Sequence, residues 1–282
     1  MRFFLFSLSV LILHMTSHPA LARSEAPQYA VGIGFDASTG TFGTDSTSSY
    51  ASVPFMVDWF PTERICFELI VPLVYQRTKN TGLAATGGTV KSTARRIMGG
   101  GLYSYTGGST ALTSGVVADE SVSGLGDITL TGGYALVLDS ETTPYIRPTF
   151  YVKFPTADDT KGLSTGKLDV GPGLAVSKWL GNWQPFAEGR YIFQGASYDE
   201  TGAMNFLTAD AGVGYSWGER LFTSVYGRSG SRLFDGMEAP LEVRLKVVRR
   251  FGERTYAEAY ALKGFSDGSP DYGGGVSVFK EF

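Results

Sequence analysis

The chain has 282 residues with a formal net charge of -3 and 18% charged residues, which is not the basic balance of a nucleic-acid-binding protein. Glycine is abundant at 37 residues, aromatic residues make up 13%, and mean hydropathy is close to zero. We therefore expect no nucleic-acid partner. The composition fits an exported β-protein or a membrane β-barrel, whose strands are only half apolar.

The N-terminus has the pattern of a secretory signal peptide. Residues 3–13 form an apolar run behind Arg2, followed by small residues that end at Ala22. The run is too short for a helix that spans a bilayer, which needs about 20 residues. We expect cleavage near Ala22, so that residues 1–22 are the signal peptide and residues 23–282 the mature protein.

Cleavage would leave few residues for catalysis. It removes both histidines, His14 and His18, and the single cysteine, Cys66, then has no imidazole to activate it. Asp127 and Asp169 are a possible acid–base pair, but ion pairing is the simpler role for both. We expect no enzyme activity, no metal site and no cofactor.

About twelve segments alternate apolar and polar residues with the two-residue period of a half-buried strand. In chain order they are residues 28–36, 50–60, 64–76, 127–138, 144–155, 167–180, 183–194, 205–217, 220–228, 241–250, 255–265 and 271–282.

The fifth segment shows the pattern in its clearest form. Taken as a strand, it directs polar and aromatic residues to one face, namely Tyr145, Arg147, Thr149, Tyr151 and Lys153. The opposite face is apolar and carries Ile146, Pro148, Phe150, Val152 and Phe154. A soluble antiparallel sheet can also have one wet face, so the pattern is informative because it recurs along the chain.

The connections between segments alternate in length. Short turns at Pro61, Asp139, Gly181, Gly218 and Phe251 alternate with connections that are mostly longer, the longest at about 77–123. Outer-membrane barrels have short periplasmic turns and long extracellular loops. The sequence predicts an all-β fold: a transmembrane antiparallel up-and-down β-barrel of about 12 strands, with periplasmic N- and C-termini and a long extracellular loop at about 77–123.

Aromatic and basic residues indicate the membrane contacts. Four tryptophans lie beside the short turns, where indoles would reach the headgroup level: Trp59, Trp179, Trp183 and Trp217. The C-terminal Phe282 is the type of residue by which barrel-assembly machinery recognises its substrates. Lys91, Arg95 and Arg96 in the long connection would meet lipopolysaccharide, fold inward to constrict the barrel, or remain in solvent. We expect location in the outer membrane of a Gram-negative bacterium.

Charged residues near strand centres share the inward face in this register. The candidates for lining a pore are Glu68, Asp127, Arg147, Lys153, Asp169, Glu188, Arg190, Asp210, Arg228, Glu242, Arg244, Lys246 and Glu258. Such charges set the selectivity of a channel for small-molecule solutes, or they pair into ladders that fill the interior of a structural barrel. Both interpretations remain open from the sequence.

Three motifs carry a resemblance to a known family. They are Gly124-Leu125-Gly126-Asp127-Ile128-Thr129-Leu130, Lys153-Phe154-Pro155-Thr156, and Asp169-Val170-Gly171-Pro172-Gly173-Leu174-Ala175-Val176-Ser177-Lys178. The chain resembles the family called MetA-pathway of phenol degradation, most closely over residues 124–194. The resemblance implies an outer-membrane β-barrel that passes small, aromatic or hydrophobic compounds. It supplies no catalytic or binding residues.

Overall fold

The structure, a computed structural model, describes residues 28–43, 47–78, 84–85, 112–113, 120–196, 203–233 and 236–282. The barrel strands are β1 (Tyr29–Gly40), β2 (Ser48–Trp59), β3 (Ile65–Thr78), β4 in two parts (Glu120–Leu125 and Ile128–Tyr134), β5 (Tyr145–Phe154), β6 (Asp169–Ser177), β7 (Trp183–Ile192), β8 (Phe206–Ser216), β9 (Leu221–Gly230), β10 (Leu241–Arg250), β11 (Thr255–Gly264) and β12 (Tyr272–Glu281). A short hairpin pairs Ala84–Ala85 with Leu112–Thr113, and a 3-10 turn covers Asp159–Lys161.

The sheet closes on itself. Each strand pairs antiparallel with the next, and β1 pairs with β12 as well as β2, with Ala30 opposite both Glu281 and Asp58. Closure satisfies the backbone groups that an open sheet would leave unpaired at its edges. The predicted all-β, 12-stranded, up-and-down barrel is confirmed. No helix in the described part of the chain is long and apolar enough to cross a membrane.

The two faces of the wall differ in polarity, as β10 illustrates. Leu245 points outward and is 55% exposed, whereas the adjacent Lys246 points inward and is 1% exposed. The same alternation places exposed large apolar side chains on the outside of every strand of the barrel except β11, where the exposed outward residues are Ala259 and Ala261. An apolar surface this extensive is unfavourable in water and matches the apolar band of a membrane barrel.

The connections sort into two ends. Residues 60–64, 135–144, 178–182, 217–220 and 251–254 connect strands at one end, here called the turn end, which also holds the start of β1 and the finish of β12. The remaining connections, most of them longer, lie at the opposite end, the loop end. The periplasmic position of the termini stays a prediction.

The long loop begins later and ends earlier than expected. Arg77 and Thr78 belong to β3, and residues 120–123 belong to β4, because β3 continues to pair with this first part of β4. Lys91, Arg95 and Arg96 lie outside the described residues, as does the expected signal peptide at 1–22.

Three of the four tryptophans lie outward at the turn end as expected. Trp183 and Trp217 pack edge-on against Tyr215, and Trp59 stacks on Phe67. These rings form an aromatic girdle at the headgroup level of a membrane barrel.

Trp179 differs from this expectation. It packs inward against buried Phe222, with ring centroids 6.1 Å apart. The residue lies in a turn, where the two-residue alternation that sets the direction of strand side chains no longer applies.

Candidate functional site

The candidate functional site is the barrel interior. The structure places twelve of the thirteen predicted site residues on the inward faces of their strands. The thirteenth, Asp127, lies at the break in β4 and also points inward. Glu68 is half-buried and the others are almost completely buried.

Eight of these residues form a charged belt on five adjacent strands. The belt comprises Glu188 and Arg190 on β7, Asp210 on β8, Arg228 on β9, Glu242, Arg244 and Lys246 on β10, and Glu258 on β11. Its ion-pair distances are 3.4 Å for Arg190–Glu188, 2.8 Å for Arg228–Asp210, 2.7 Å for Arg244–Glu242 and 2.9 Å for Lys246–Glu258. Desolvated charges require such partners, and the pairing gives the belt equal numbers of cations and anions.

Aromatic rings lie beside the cations. The Arg190 guanidinium carbon is 4.9 Å from the Tyr151 ring centroid, and that of Arg244 is 5.6 Å from the Tyr260 ring. Both distances suit a cation–π contact. The interior therefore offers aromatic surfaces as well as charge.

Arg147 is held differently. Its Nη1 atom lies 3.3 Å from the Cys66 sulfur, and the thiol is directed to the Gly133 carbonyl oxygen at 3.7 Å. Among the described residues, no carboxylate lies within ion-pair distance of Arg147, although Glu188 interacts with it electrostatically. Arg147 is thus the interior cation whose charge is least neutralised by direct contact.

Lys153 joins two carboxylates near the loop end. Its Nζ atom is 2.7 Å from Asp169 Oδ2 and 3.3 Å from Asp127 Oδ2. The Ser164 hydroxyl donates to Asp127 at 2.6 Å, and the Gly195 amide donates to Asp169 at 3.0 Å. One cation and two acids therefore fix the loops that follow β5 and β7.

The first two family motifs meet at a β-bulge. Between the two parts of β4, Gly126 and Asp127 add one residue relative to β3, which shifts the alternation of the strand. Thr156 holds this bulge, since its hydroxyl accepts from the Ile128 amide at 2.9 Å and donates to the Gly126 carbonyl at 3.0 Å. The motifs therefore have a structural role that the sequence did not reveal.

Four further interior charges were not among the sequence candidates. Asp36 and Asp58 are buried on β1 and β2. Arg250 contacts Glu281 at two points, 3.0 and 3.1 Å, near the turn end. The alternation of β1, β2, β10 and β12 places these residues inward, so the same signal could have identified them.

An apolar ring occupies the turn end of the interior. It consists of Met56, Ile70, Phe222, Val248, Tyr256 and Phe279 on six strands, together with Trp179. Trp179 also packs on the cluster around Ala135 and Tyr145, which extends the ring toward β4 and β5. The apolar ring therefore lies on the turn-end side of the charged belt, beside the Arg250–Glu281 pair.

A second apolar cluster lies near the loop end. Buried Ile192, Phe206 and Leu233 contact Phe42 and Met237, which come from connections between strands. Phe42 has a φ of 49°, the left-handed region that non-glycine residues seldom adopt. Loop side chains therefore turn inward above the charged belt.

In the described part of the chain, no three His, Cys, Asp or Glu side chains converge as a metal site.

The comparison with protein-family models tests the family resemblance that the three motifs indicated. A sequence model of the family described as MetA-pathway of phenol degradation matches residues 23–279. The chain belongs to this family. The match extends well beyond the three motifs and includes the first three strands, where the sequence showed no recognisable motif. No curated protein sequence matches the chain.

Solved structures show the same fold. The COG4313 outer membrane channel from Pseudomonas putida F1 is similar at 15% sequence identity and a TM-score of 0.61, covering 92% of this chain and 98% of that chain. The translocator domain of the autotransporter NalP from Neisseria meningitidis is similar at 12% identity and a TM-score of 0.49, covering 98% of this chain and 95% of that chain. This chain thus shares its barrel fold with the COG4313 channel.

Proposed function

We propose that this family member is a passive channel for small molecules in the outer membrane. The observation that carries the proposal is the charged belt inside a barrel whose outer face is apolar. A barrel interior that served stability alone gains little from buried ion pairs, because apolar residues of similar volume are often as stabilising. Charged residues at membrane depth usually mark a path for water and solutes.

The proposal includes the location and orientation of the barrel. In a Gram-negative outer membrane, the turn end faces the periplasm, because short turns are typical of that side. Cleavage near Ala22 would leave the mature N-terminus on the same side as Phe282. Phe282 stacks on Tyr29 at 5.2 Å and is exposed, so assembly machinery can reach it in the folded barrel. Lipopolysaccharide would surround the loop end.

The proposed solutes are small aromatic or hydrophobic compounds. Tyr145, Tyr151, Tyr226 and Tyr260 are buried inside the barrel, and three of their rings lie against arginine guanidinium groups. Apolar side chains occupy both ends of the interior. This lining suits molecules that lose little on leaving water.

A structural barrel with a filled interior is the second candidate function. It is favoured by the low exposure of the belt, where Lys246 and Glu258 are almost fully buried and only 2.9 Å apart. Side chains fill the interiors of many small barrels completely.

Solute flux into proteoliposomes separates the two functions. Folded protein, identified by its heat-modifiable migration on gels, is reconstituted and exposed to a small sugar or to a small neutral aromatic compound that crosses protein-free bilayers slowly. A channel increases influx above that of protein-free liposomes. Influx equal to that of protein-free liposomes would reject the channel and favour the structural barrel.

A further inference from the structure

Two tryptophans of one turn point in opposite directions. Trp183 begins β7 and is 54% exposed on the outside of the barrel, whereas Trp179 packs inward on the apolar ring. They form a matched pair for comparison, because both are indoles and they flank the same short turn between β6 and β7 but lie in different environments.

The inward position of Trp179 is fixed by Asp139 in the neighbouring turn. Lys178 Nζ lies 3.0 Å from Asp139 Oδ1, and the Trp179 amide donates to Asp139 Oδ2 at 3.4 Å. Lys178 also donates to the carbonyl oxygens of Ser140 and Thr143. The two turns are therefore joined by charge and hydrogen bonds, and this junction directs the indole into the apolar ring.

The indole reaches residues on strands well to either side of its own turn. Trp179 follows β6, yet its ring meets that of Phe222 at the start of β9, three strands farther around the wall. It also contacts the cluster that holds Ala135 and Tyr145 on the other side of its turn. Trp179 thus joins two apolar clusters that the strands themselves keep apart.

Glycines make room for two other rings of this constriction. A Cβ atom at Gly214 would overlap the Phe222 ring, and one at Gly32 would overlap the Phe279 ring. Both aromatic side chains therefore lie flat over neighbouring strands, with Gly214 on β8 and Gly32 on β1. Because glycine has no side chain, the rings of Phe222 and Phe279 can lie close to the barrel wall at these two positions.

An apolar constriction opposes ions more than neutral solutes. An ion loses hydration when it enters a passage lined mainly by apolar side chains, whereas a small apolar molecule gains contact with that lining. Arg250 and Glu281, beside the ring, are paired with each other. The charged belt lies behind the constriction, and its ion pairs provide no net charge to attract an ion through it.

We infer that the apolar ring is the ion barrier of this channel and that Trp179 is its movable member. The other members lie on strands of the closed wall, and Trp179 alone among them is carried by a turn. Small neutral apolar molecules pass the ring, and hydrated ions are held back until the indole moves. This inference rests on the proposed channel function.

Planar-bilayer recordings of Trp179→Ala test the inference. Removing the indole should raise single-channel conductance in KCl about threefold or more over wild type, because the passage becomes wider and wetter. Trp183→Ala removes the same side chain from the outside and should leave conductance unchanged. Equal conductance of Trp179→Ala and wild type, or an equal rise in both variants, would overturn the inference.

Asp139→Asn provides a second variant in which the indole is kept. Loss of the Lys178 ion pair should release the turn and increase the frequency of open events. If Trp179→Ala fails to fold by heat-modifiable migration, an unchanged opening frequency in folded Asp139→Asn would overturn the inference by itself. Solute flux by the wild-type protein tests the channel function separately. If wild type conducts solute but the variants leave ion conductance and opening frequency unchanged, the channel function stands and only the role of the apolar ring as an ion barrier is rejected.

Discussion

Arg228 and Asp210 face each other across two adjacent strands, with Nε–Oδ1 and Nη2–Oδ2 distances of 2.8 Å. This two-point contact has the geometry of the strongest arginine–carboxylate pairs. Both side chains are almost fully buried, so neither has water to replace its partner. The charged belt therefore contributes to barrel stability only while its pairs are complete.

Asp210→Asn should destabilise the barrel by about 3 kcal/mol, because Arg228 would keep its charge without a carboxylate partner. Urea unfolding in detergent micelles, followed by tryptophan fluorescence, measures the loss. Glu219→Gln in an exposed turn is the control and should change stability by less than about 0.5 kcal/mol. Equal stability of Asp210→Asn and wild type would show that the interior is well hydrated.

Arg147→Met should shift ion preference toward cations, because it removes the interior cation that has no ion-pair partner in the described part of the chain. The reversal potential across a KCl gradient measures this preference. Arg249→Met removes the same charge from the outer face and should leave the potential unchanged. If both variants shift it equally, the effect comes from surface charge and Arg147 has no special access to the path.

Leu245→Arg should cost about 2–4 kcal/mol, since the residue lies midway along the outward face of β10 and would place a charge near the bilayer midplane. Leu180→Arg at the exposed turn end should cost about 0–1 kcal/mol, because its guanidinium reaches the interface. Unfolding in lipid vesicles gives both values. Similar costs at the two positions would contradict a membrane-spanning outer face.

Gly126→Ala should destabilise the barrel by about 1–3 kcal/mol through crowding at the bulge. Its Cβ would lie 2.9 Å from Pro72 Cγ and 3.0 Å from Val74 Cγ1. Gly227→Ala provides the control, because its Cβ meets only the Glu242 carbonyl oxygen, at 3.8 Å. The temperature at which heat-modifiable migration is lost should fall for Gly126→Ala alone, and an equal fall in both would argue against a special role for the bulge.

Much of the fold could be predicted because the alternation of β-strands is a local property. Leu245 and Lys246 are adjacent in sequence, and in a strand they must point to opposite faces. The short turns at Gly181 and Gly218 are also recognisable from the local sequence, because glycine readily adopts the positive φ values that such turns require. These values are 63° and 95° in the structure. The inward placement of Glu188 and Arg244 followed from the same alternation.

The sequence prediction is less accurate where the two-residue alternation of a strand is interrupted. At Gly126 and Asp127 the bulge moves the strand into a new register, so the alternation that predicts the second part of β4 does not continue into the first part. Trp179 lies in a turn, and its direction depends on Asp139, a residue that is distant in sequence. No pattern within either segment contains that information.

The sequence by itself determined the strand faces, the approximate strand number, the family resemblance and the inward set of charges, because each depends on local periodicity or short motifs. Only the tertiary structure decided that Arg228 pairs with Asp210, that Lys153 joins Asp127 to Asp169, and that Trp179 packs into the apolar ring. Those contacts depend on register, closure and side-chain reach across strands, which are properties of the whole barrel.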